Sequence, residues 1–570
     1  MPIRVWLNAS AVLADAVWRL QVPGSILKLS IRLGAAVVLC AAPLLSSETA
    51  LAQFAQQGSK LVGSPTPGNA HQGGAVALSA DGNTAIVGGF GDTSGTGAAW
   101  VYTRSGGTWT QQGKLVGTGA AGSAEQGISV ALSADGNTAI VGGFYDNTGI
   151  GAAWIFTRSA GVWSQQGSKL VGTSAVGAAA QGWVVALSGD GNTAAVSGWA
   201  DNSAVGATWV FTRSGTVWSQ QGSKLVGTGA VGSAGQGHGV ALSADGNTLV
   251  VGGNGDNSGV GAAWVFTRSG GVWSQQGNKL VGTGAVGAAA QGWGIALSSD
   301  GNTAIVGGLA DNSGSGAAWA FTRSGSVWSQ QGSKLVATGE IGNALQGQWV
   351  GLSGDGNIAI IGSSGDGAWL FTRSGSAWTQ QGSNLYGTGA VGNAEQGVSV
   401  GLSADGSTAI VGGDLDGTSG GAAWVFVQSP QIQQLQVTPA TNIATEGPSG
   451  GPFSTTVFQY QISTTSGSFN YSIDGIPTWL NASFTSGTAT TSPITDTFTL
   501  TNVSSLDYGV YTATISFTNT TNGSGSTTRT AILFVRPEIV CVAMTGQSPE
   551  TPDAAQSNIV SDLCAKSRSP

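Results

Sequence analysis

Few residues in this chain could do acid–base or metal chemistry. Between Gln53 and Pro430 nearly every charge recurs at a fixed spacing, and the irregular acids are Glu125, Glu340, Glu395 and Asp414. Two carboxylates facing each other across a site are what a glycosidase needs to protonate a leaving group and activate a nucleophile or water. Glu125, Glu340 and Glu395 stand in equivalent loops, so such a pair is conceivable, yet no spacing pairs them. The whole chain holds two His, which leaves zinc sites and His-based triads almost no raw material. The sequence assigns no catalytic residue, no cofactor and no metal ligand. An extracellular polysaccharide-active enzyme, a lyase or a glycosidase, is therefore the second reading, with a structural spacer as the third.

The leading reading is a binding protein, and it rests on aromatic residues. Two positions change from repeat to repeat while their surroundings do not. One follows a Gln-Gly pair: Gly74, Ile128, Trp183, His238, Trp293, Gln348 or Val398. The other lies two residues before a loop Asp: Phe90, Phe144, Trp199, Asn254, Leu309, Ser364 or Asp414. Aromatic rings left at variable loop positions suit sugar stacking or a protein hot spot, and drift at unconstrained loop positions is the alternative. Phe90, Phe144, Trp183, Trp199 and Trp293 are the candidate ligand face. The first four come from three consecutive repeats and are expected in one sector, with Trp293 farther round.

The elements that must hold these residues are written seven times. "VALSADGNTAIVGG" at 76–89 reads as two short strands around an Asp-Gly turn, and it returns unchanged at 130–143. The turn Asp falls at 81, 135, 190, 245, 300, 355 and 405. The last step is shorter because five loop residues are missing after Asp366. Each period reads as four strands, "VALSA", "TAIVGG", "AAWVFTR" and "VWSQQGSKLVG", which predicts a β-propeller blade. The seventh repeat lacks its fourth strand, and "FAQQGSKLVG" at 54–63 is that strand without a hairpin before it. The expected fold is thus all-β, a seven-bladed propeller over 53–430 closed by the N-terminal strand, with no open edge.

Repetition also sorts the scaffold from the site. Trp100, Trp154, Trp209, Trp264, Trp319, Trp369 and Trp424 recur on the third strand, and six more run from Trp109 to Trp378 on the fourth. Rings present in every repeat are expected to fill the wedge between sheets. All twelve basic residues of this region occupy two repeat positions, the Arg of "FTR" and the Lys of "GSKL". The Arg series is expected to tie strands to neighbouring carboxylates or carbonyls.

"GVALSADGNTLVVGG" followed by "GAAWVFTRSGGVWSQQGNKL" resembles the bacterial branch of the FG-GAP repeat family, related to the propeller of integrin α subunits. The resemblance runs over about residues 54–427 and implies an extracellular propeller used in adhesion or ligand binding. Integrin-type blades hold calcium in a DxDxDG loop, whereas "SADGN" offers one carboxylate and no length to wrap the ion. A second Asp series (Asp92, Asp146, Asp201, Asp256, Asp311, Asp366, Asp416) is read as Asx turns satisfying loop amides, with a metal ring as the minor alternative.

After Pro430 a Thr/Ser-rich segment, 431–536, alternates as seven or so short strands, which predicts a β-sandwich. "DYGVYTATI" resembles the tyrosine corner of immunoglobulin-like domains, with Tyr511 at the corner. "IPTWLNASFTSGT" resembles bacterial Ig-like and BACON-type modules, with Trp479 a core residue. Residues 537–570 read as a tail.

At the other end, "LGAAVVLCAAPLL" with Arg19, Lys28 and Arg32 before it and "SSETALA" after it reads as a signal peptide over 1–52. Cys541 and Cys564 are expected to form one disulfide in an oxidising compartment. A net charge of −8 with no basic stripe argues against nucleic acid. The partner expected is a glycan or an extracellular protein, bound by a monomer outside the cytoplasm or in the cell envelope, without membrane insertion.

Overall fold

The computed structural model describes residues 54–65, 68–339, 344–428, 434–465 and 467–537. The signal segment 1–52, Glu340 and the tail cysteines Cys541 and Cys564 lie outside the described residues.

The described chain is all-β and is built from repeated four-stranded antiparallel sheets, an arrangement compatible with a propeller-like fold. The third sheet shows the pattern: Val185–Leu187, Thr193–Gly198, Ala207–Ser214 and Val217–Gln220, each paired with the next. Burial follows the sequence strand by strand. "TAAVSG" is buried at every residue, as an uninterrupted run of small and branched residues must be when both sheet faces are covered. "VWSQ" alternates exposed and half-buried, as an outer edge strand does.

The seventh sheet takes its fourth strand from residues that precede the first repeat. Phe54–Gln56 pairs antiparallel with Ala422–Gln428, setting Phe54 opposite Gln428 and Gln56 opposite Phe426. Leu61 and Ala423 then exchange both backbone hydrogen bonds. The first sheet is in turn bridged to the seventh through Gln72 and Gly421.

Successive sheets are also linked at their hairpin turns. The Ala80 N–H donates to Ala134 O, and the series continues through Gly189, Ala244, Ser299, Gly354 and Ala404. The Ala404 N–H donates back to Ala80 O, so the seven bonds, 2.7–3.0 Å long, form a continuous cycle.

The recurrent Trp residues hold the seams. Trp100, Trp154, Trp209, Trp264, Trp319 and Trp424 are fully buried, and Trp369 is 1 % exposed. Trp154 packs in one cluster with Ile86, Val101 and Leu115 of the sheet before it. This close approach requires the Gly of "KLVG": a Cβ at Gly172 would lie 2.1 Å from the Trp209 ring. At the equivalent position after the fifth sheet stands Ala337, packed with Trp369, so that one seam accommodates a methyl group. Six seams also carry an Arg stitch. Arg268 Nε donates to Asn247 Oδ1 at 2.9 Å, while Nη1 reaches Gln221 Oε1 and Thr193 Oγ1 of the preceding sheet. The Arg partners are thus the side-chain carbonyl oxygens of Asn and Gln and a Thr hydroxyl, so of the expected carboxylates or carbonyls it is carbonyls that the Arg bonds. Arg268 also lies over the Trp273 ring at 5.3 Å, and this half-exposed fourth-strand Trp donates to Gln221. In the seventh sheet Gln428 replaces the Arg and Ile358 replaces the Thr opposite, so both ends of that stitch change together.

Residues 434–537 form two further sheets. One is four-stranded (Leu435–Thr438, Val457–Thr464, Ile494–Leu500, Leu480–Ala482), and one is five-stranded with a parallel pair between Ile443–Pro448 and Thr527–Arg536. Nine strands stand where about seven were expected, because short polar runs such as "LNA" and "SGTAT" carry no hydrophobic alternation. Trp479 is 4 % exposed in the core with Tyr460, Phe498 and Phe517. The Tyr511 hydroxyl donates to Asp507 O at 3.1 Å.

Candidate functional site

Strand pairing places the two variable positions together. In the third sheet Val185 faces Val196, with the Asp190 turn at one end of the pair and Trp183 and Trp199 at the other. The same holds in each repeat, so every sheet has a hairpin end and an entry-loop end. The Arg stitches lie at the hairpin end, where each Arg N–H bonds the turn Asn, as Arg213 does to Asn192 O. There burial acts to raise the Asp135 pKa, but hydrogen bonds from Ser133 and Asn137, with the Arg158 charge, outweigh it and hold the carboxyl below its ordinary range. The turn carboxylates are thus consumed in shaping the hairpins.

At the entry-loop end the rings form one connected cluster. Phe144 meets Trp183 edge-on at 5.2 Å, and Trp183 meets Trp199 at 6.1 Å. His238 lies 5.4 Å from Trp183, 5.8 Å from Trp199 and 4.3 Å from Trp293. Trp293 is therefore joined to the others rather than set apart, because His238 fills the space between. Phe90 stands outside the cluster and stacks on His71 at 4.8 Å. Tyr145, 51 % exposed, extends the cluster outward from Phe144. The four cluster rings of the predicted face are each half-buried.

His238 is the member that sequence reasoning left off the face. It is 9 % exposed, and burial lowers its pKa to about 4, so it is uncharged near neutral pH. Its Nδ1, the Trp199 Nε1 and the Gln348 Oε1 are buried without a hydrogen-bond partner among the described residues. Trp349 was also missed. It packs against cores shared by the third and fourth sheets and by the sixth and seventh. Its position holds Ala75, Ser129, Val184, Gly239, Gly294 or Ser399 in the other repeats, so a single bulky residue was a readable signal.

The same end of other sheets carries acids. His71 Nδ1 lies 3.4 Å from Asp414 Oδ2, and burial raises the Asp414 pKa against the pull of His71. Burial likewise raises Glu125. Ser364 Oγ reaches Glu395 Oε2 at 3.4 Å. No described pairing brings Glu125 and Glu395 together as a catalytic couple.

The Asp92 series is engaged otherwise than expected. Asp201 Oδ2 pairs with Lys224 Nζ at 2.5 Å, and Oδ1 accepts from the Val176 N–H of the entry loop at 2.7 Å. Equivalent Lys pairs hold Asp92, Asp146, Asp256, Asp311 and Asp416. Asp146, Asp201, Asp256, Asp311 and Asp416 do satisfy loop amides, but in the facing loop rather than in Asx turns of their own, whereas Asp92 Oδ1 is buried without a partner among the described residues. In the sixth sheet Asn384 replaces the Lys and donates to the backbone oxygen of Asp366.

Elsewhere, an open depression of about 510 Å³ lies among Thr478, Leu480, Asn481, Thr499, Leu500, Thr501 and Asn502 of the C-terminal region. It carries no charged or aromatic side chain. No protein-family model matches this chain, and no curated protein is similar to it.

Proposed function

We propose that residues 54–428 are a seven-bladed propeller of FG-GAP type closed by the N-terminal strand, and that residues 434–537 are an Ig-like, BACON-type sandwich. The whole is a secreted or cell-envelope adhesion protein without catalytic activity, and it holds a glycan or an extracellular protein on the entry-loop face of the propeller. Closure is supported by the hydrogen-bond cycle through Ala80 and Ala404 and by the pairing of Phe54–Gln56 with the last sheet. The sandwich reading is supported by the Tyr511 hydrogen bond and the single core around Trp479.

One observation carries the function. Phe144, Trp183, Trp199 and Trp293 are spread over 150 residues of chain at positions free to vary, yet their rings connect through His238. Half-buried rings that remain partly in water gain by being covered, which is how hot spots work. The purified protein should therefore retain a ligand from a panel of glycans and extracellular proteins, and Trp183→Ala with Trp199→Ala should lose it while circular dichroism stays native. Retained binding in the folded double variant would refute this face.

The second reading, a polysaccharide-active enzyme, is favoured by the raised pKa of Glu125 and Asp414. Product release that disappears in Glu125→Gln or Asp414→Asn would replace the binding proposal.

A further inference from the structure

The chemistry around the aromatic cluster narrows what it can hold. We propose that the entry-loop face binds an uncharged saccharide, with Trp183, Trp199 and Trp293 stacking on its rings and His238 and Gln348 bonding its hydroxyls, and that it rejects anionic glycans. This inference rests on the binding reading above.

Three facts carry it. The first is the kind of surface: connected rings with the Trp199 and His238 nitrogens set among them and Gln348 at the same repeat position as Trp183 and Trp293, not an aliphatic patch. A pyranose presents apolar C–H faces and an equatorial rim of hydroxyls, each able to donate and accept. Trp199 Nε1–H can only donate, Gln348 Oε1 can only accept, and a neutral imidazole nitrogen does one or the other. All three atoms are buried and unpartnered, a cost that a bonded hydroxyl would relieve. His238, 91 % buried among three Trp rings, is the most enclosed of them.

The second fact is the disposition of positive charge. Every Lys of the described repeats is bound to its Asp, and every Arg stitches a seam at the hairpin end. At the entry-loop end those lysines are each held by a carboxylate of the Asp92 series, and His71 is held beside Asp414, so no described basic group there is left unpaired. A uronate, sulfate or phosphate placed on the cluster would lose its water and meet only cations already paired with a carboxylate.

The third fact is the negative charge already there. Glu125 and Glu395 stand in the loops that lead into this end of the sheets, Asp414 stands just after a second strand at the same end, and none has a described Lys or Arg partner. An anion would be repelled as well as unpaired. The uncharged His238 adds nothing to offset that field near pH 7.

The test is a titration of the full-length protein, followed by intrinsic Trp fluorescence, with neutral hexasaccharides of glucose, mannose, galactose and xylose. Hexagalacturonate and a sulfated hexasaccharide are run alongside. At least one neutral oligosaccharide should bind and change the fluorescence, with little dependence on salt, and the anionic ones should not. Trp183→Ala and Gln348→Ala should each weaken that binding about tenfold or more, while Trp183→Phe should restore most of it. If His238→Ala does not fold, His238→Gln tests the same hydroxyl contact. Preferential binding of the anionic hexamers, lost in Trp183→Ala, would overturn the charge argument but leave the face standing. A protein ligand lost in Trp183→Ala, with no saccharide bound, would overturn the saccharide class alone. Saccharide binding untouched by every cluster variant would overturn both this inference and the face itself.

Discussion

Trp264 and Trp183 belong to neighbouring sheets and touch the same apolar core, yet they meet water on different terms. Trp264 is fully buried in that core, and its Nε1 donates to Thr228 O at 2.8 Å. Its counterparts in the other sheets are buried in the same way. Trp183 only leans on the core, half-buried, and its neighbours are other rings at the entry-loop end. The difference is one of satisfaction. A seam Trp has its full complement of contacts and usually its hydrogen bond. The cluster rings keep exposed area, and Trp199 and His238 keep unpaired polar atoms. Regions whose groups are all satisfied hold a fold together, and regions that leave groups wanting are where a ligand gains most.

The comparison can be broken most severely at the seam that joins the two ends of the repeat region. Deleting residues 54–63 removes the strand paired with Ala422–Gln428 and the Lys60 partner of Asp416. Stability should fall by about 5 kcal/mol or more, measured by thermal or denaturant unfolding. An unchanged melt would show that the seventh sheet does without its outer strand.

Next come the two kinds of Trp. Trp264→Ala should cost about 3–5 kcal/mol, as large-to-small changes in a closed core do. Trp183→Ala should cost about 1 kcal/mol, since much of its ring is not enclosed. Equal costs in denaturant titrations would erase the distinction between seam and cluster. Asp201→Asn sharpens it from the charged side. It leaves Lys224 beside a neutral group in a partly buried site, and should cost about 2–3 kcal/mol, below the range for fully enclosed pairs because Lys224 is 19 % exposed.

His238 gives a pH signature to the cluster. Its folded pKa of about 4 lies below the ordinary value of 6.5, so the folded state favours the neutral ring. The resulting stability is complete above pH 6.5 and is lost as pH falls from 6.5 towards 4, about 3 kcal/mol over the whole window. The rings that enclose it, Trp183, Trp199 and Trp293, carry no charge that would titrate with it. Unfolding measured at pH 7 and pH 4.5 should show a smaller drop in His238→Phe than in the native chain. The smallest effect is expected from calcium: chelator should barely move the melting temperature, because the Asp92-type carboxylates are already paired with Lys. A shift of many degrees would mean that the ion displaces those lysines.

Much of this was legible in advance, for a reason visible in particular residues. The Asp81 hairpin, the buried Trp100 series and the strand supplied by residues 54–63 are local patterns, repeated often enough for chance to be discounted. The Asp92 and Lys114 series were both legible as series, but not as partners. Asp146 and Lys169 lie 23 residues apart, and their contact depends on how two strands return past one loop. The Arg stitches were legible as ties to carbonyl oxygens, but not which residues supply them, because Gln221 and Thr193 belong to the preceding sheet.

The sequence by itself determined what recurs: the period, the strands within it, and which strands are covered on both faces. Those properties follow from neighbours along the chain, where alternation and turn chemistry act. It also exposed the positions that vary. Only the tertiary structure decided which variable residues meet. Trp183, His238 and Trp293 stand one repeat apart in sequence and come together because adjacent sheets pack face to face. Phe90, at the same repeat position as Phe144, turns instead to His71. Contact between sheets depends on the volume and direction of side chains from separate repeats, which no single stretch of sequence contains.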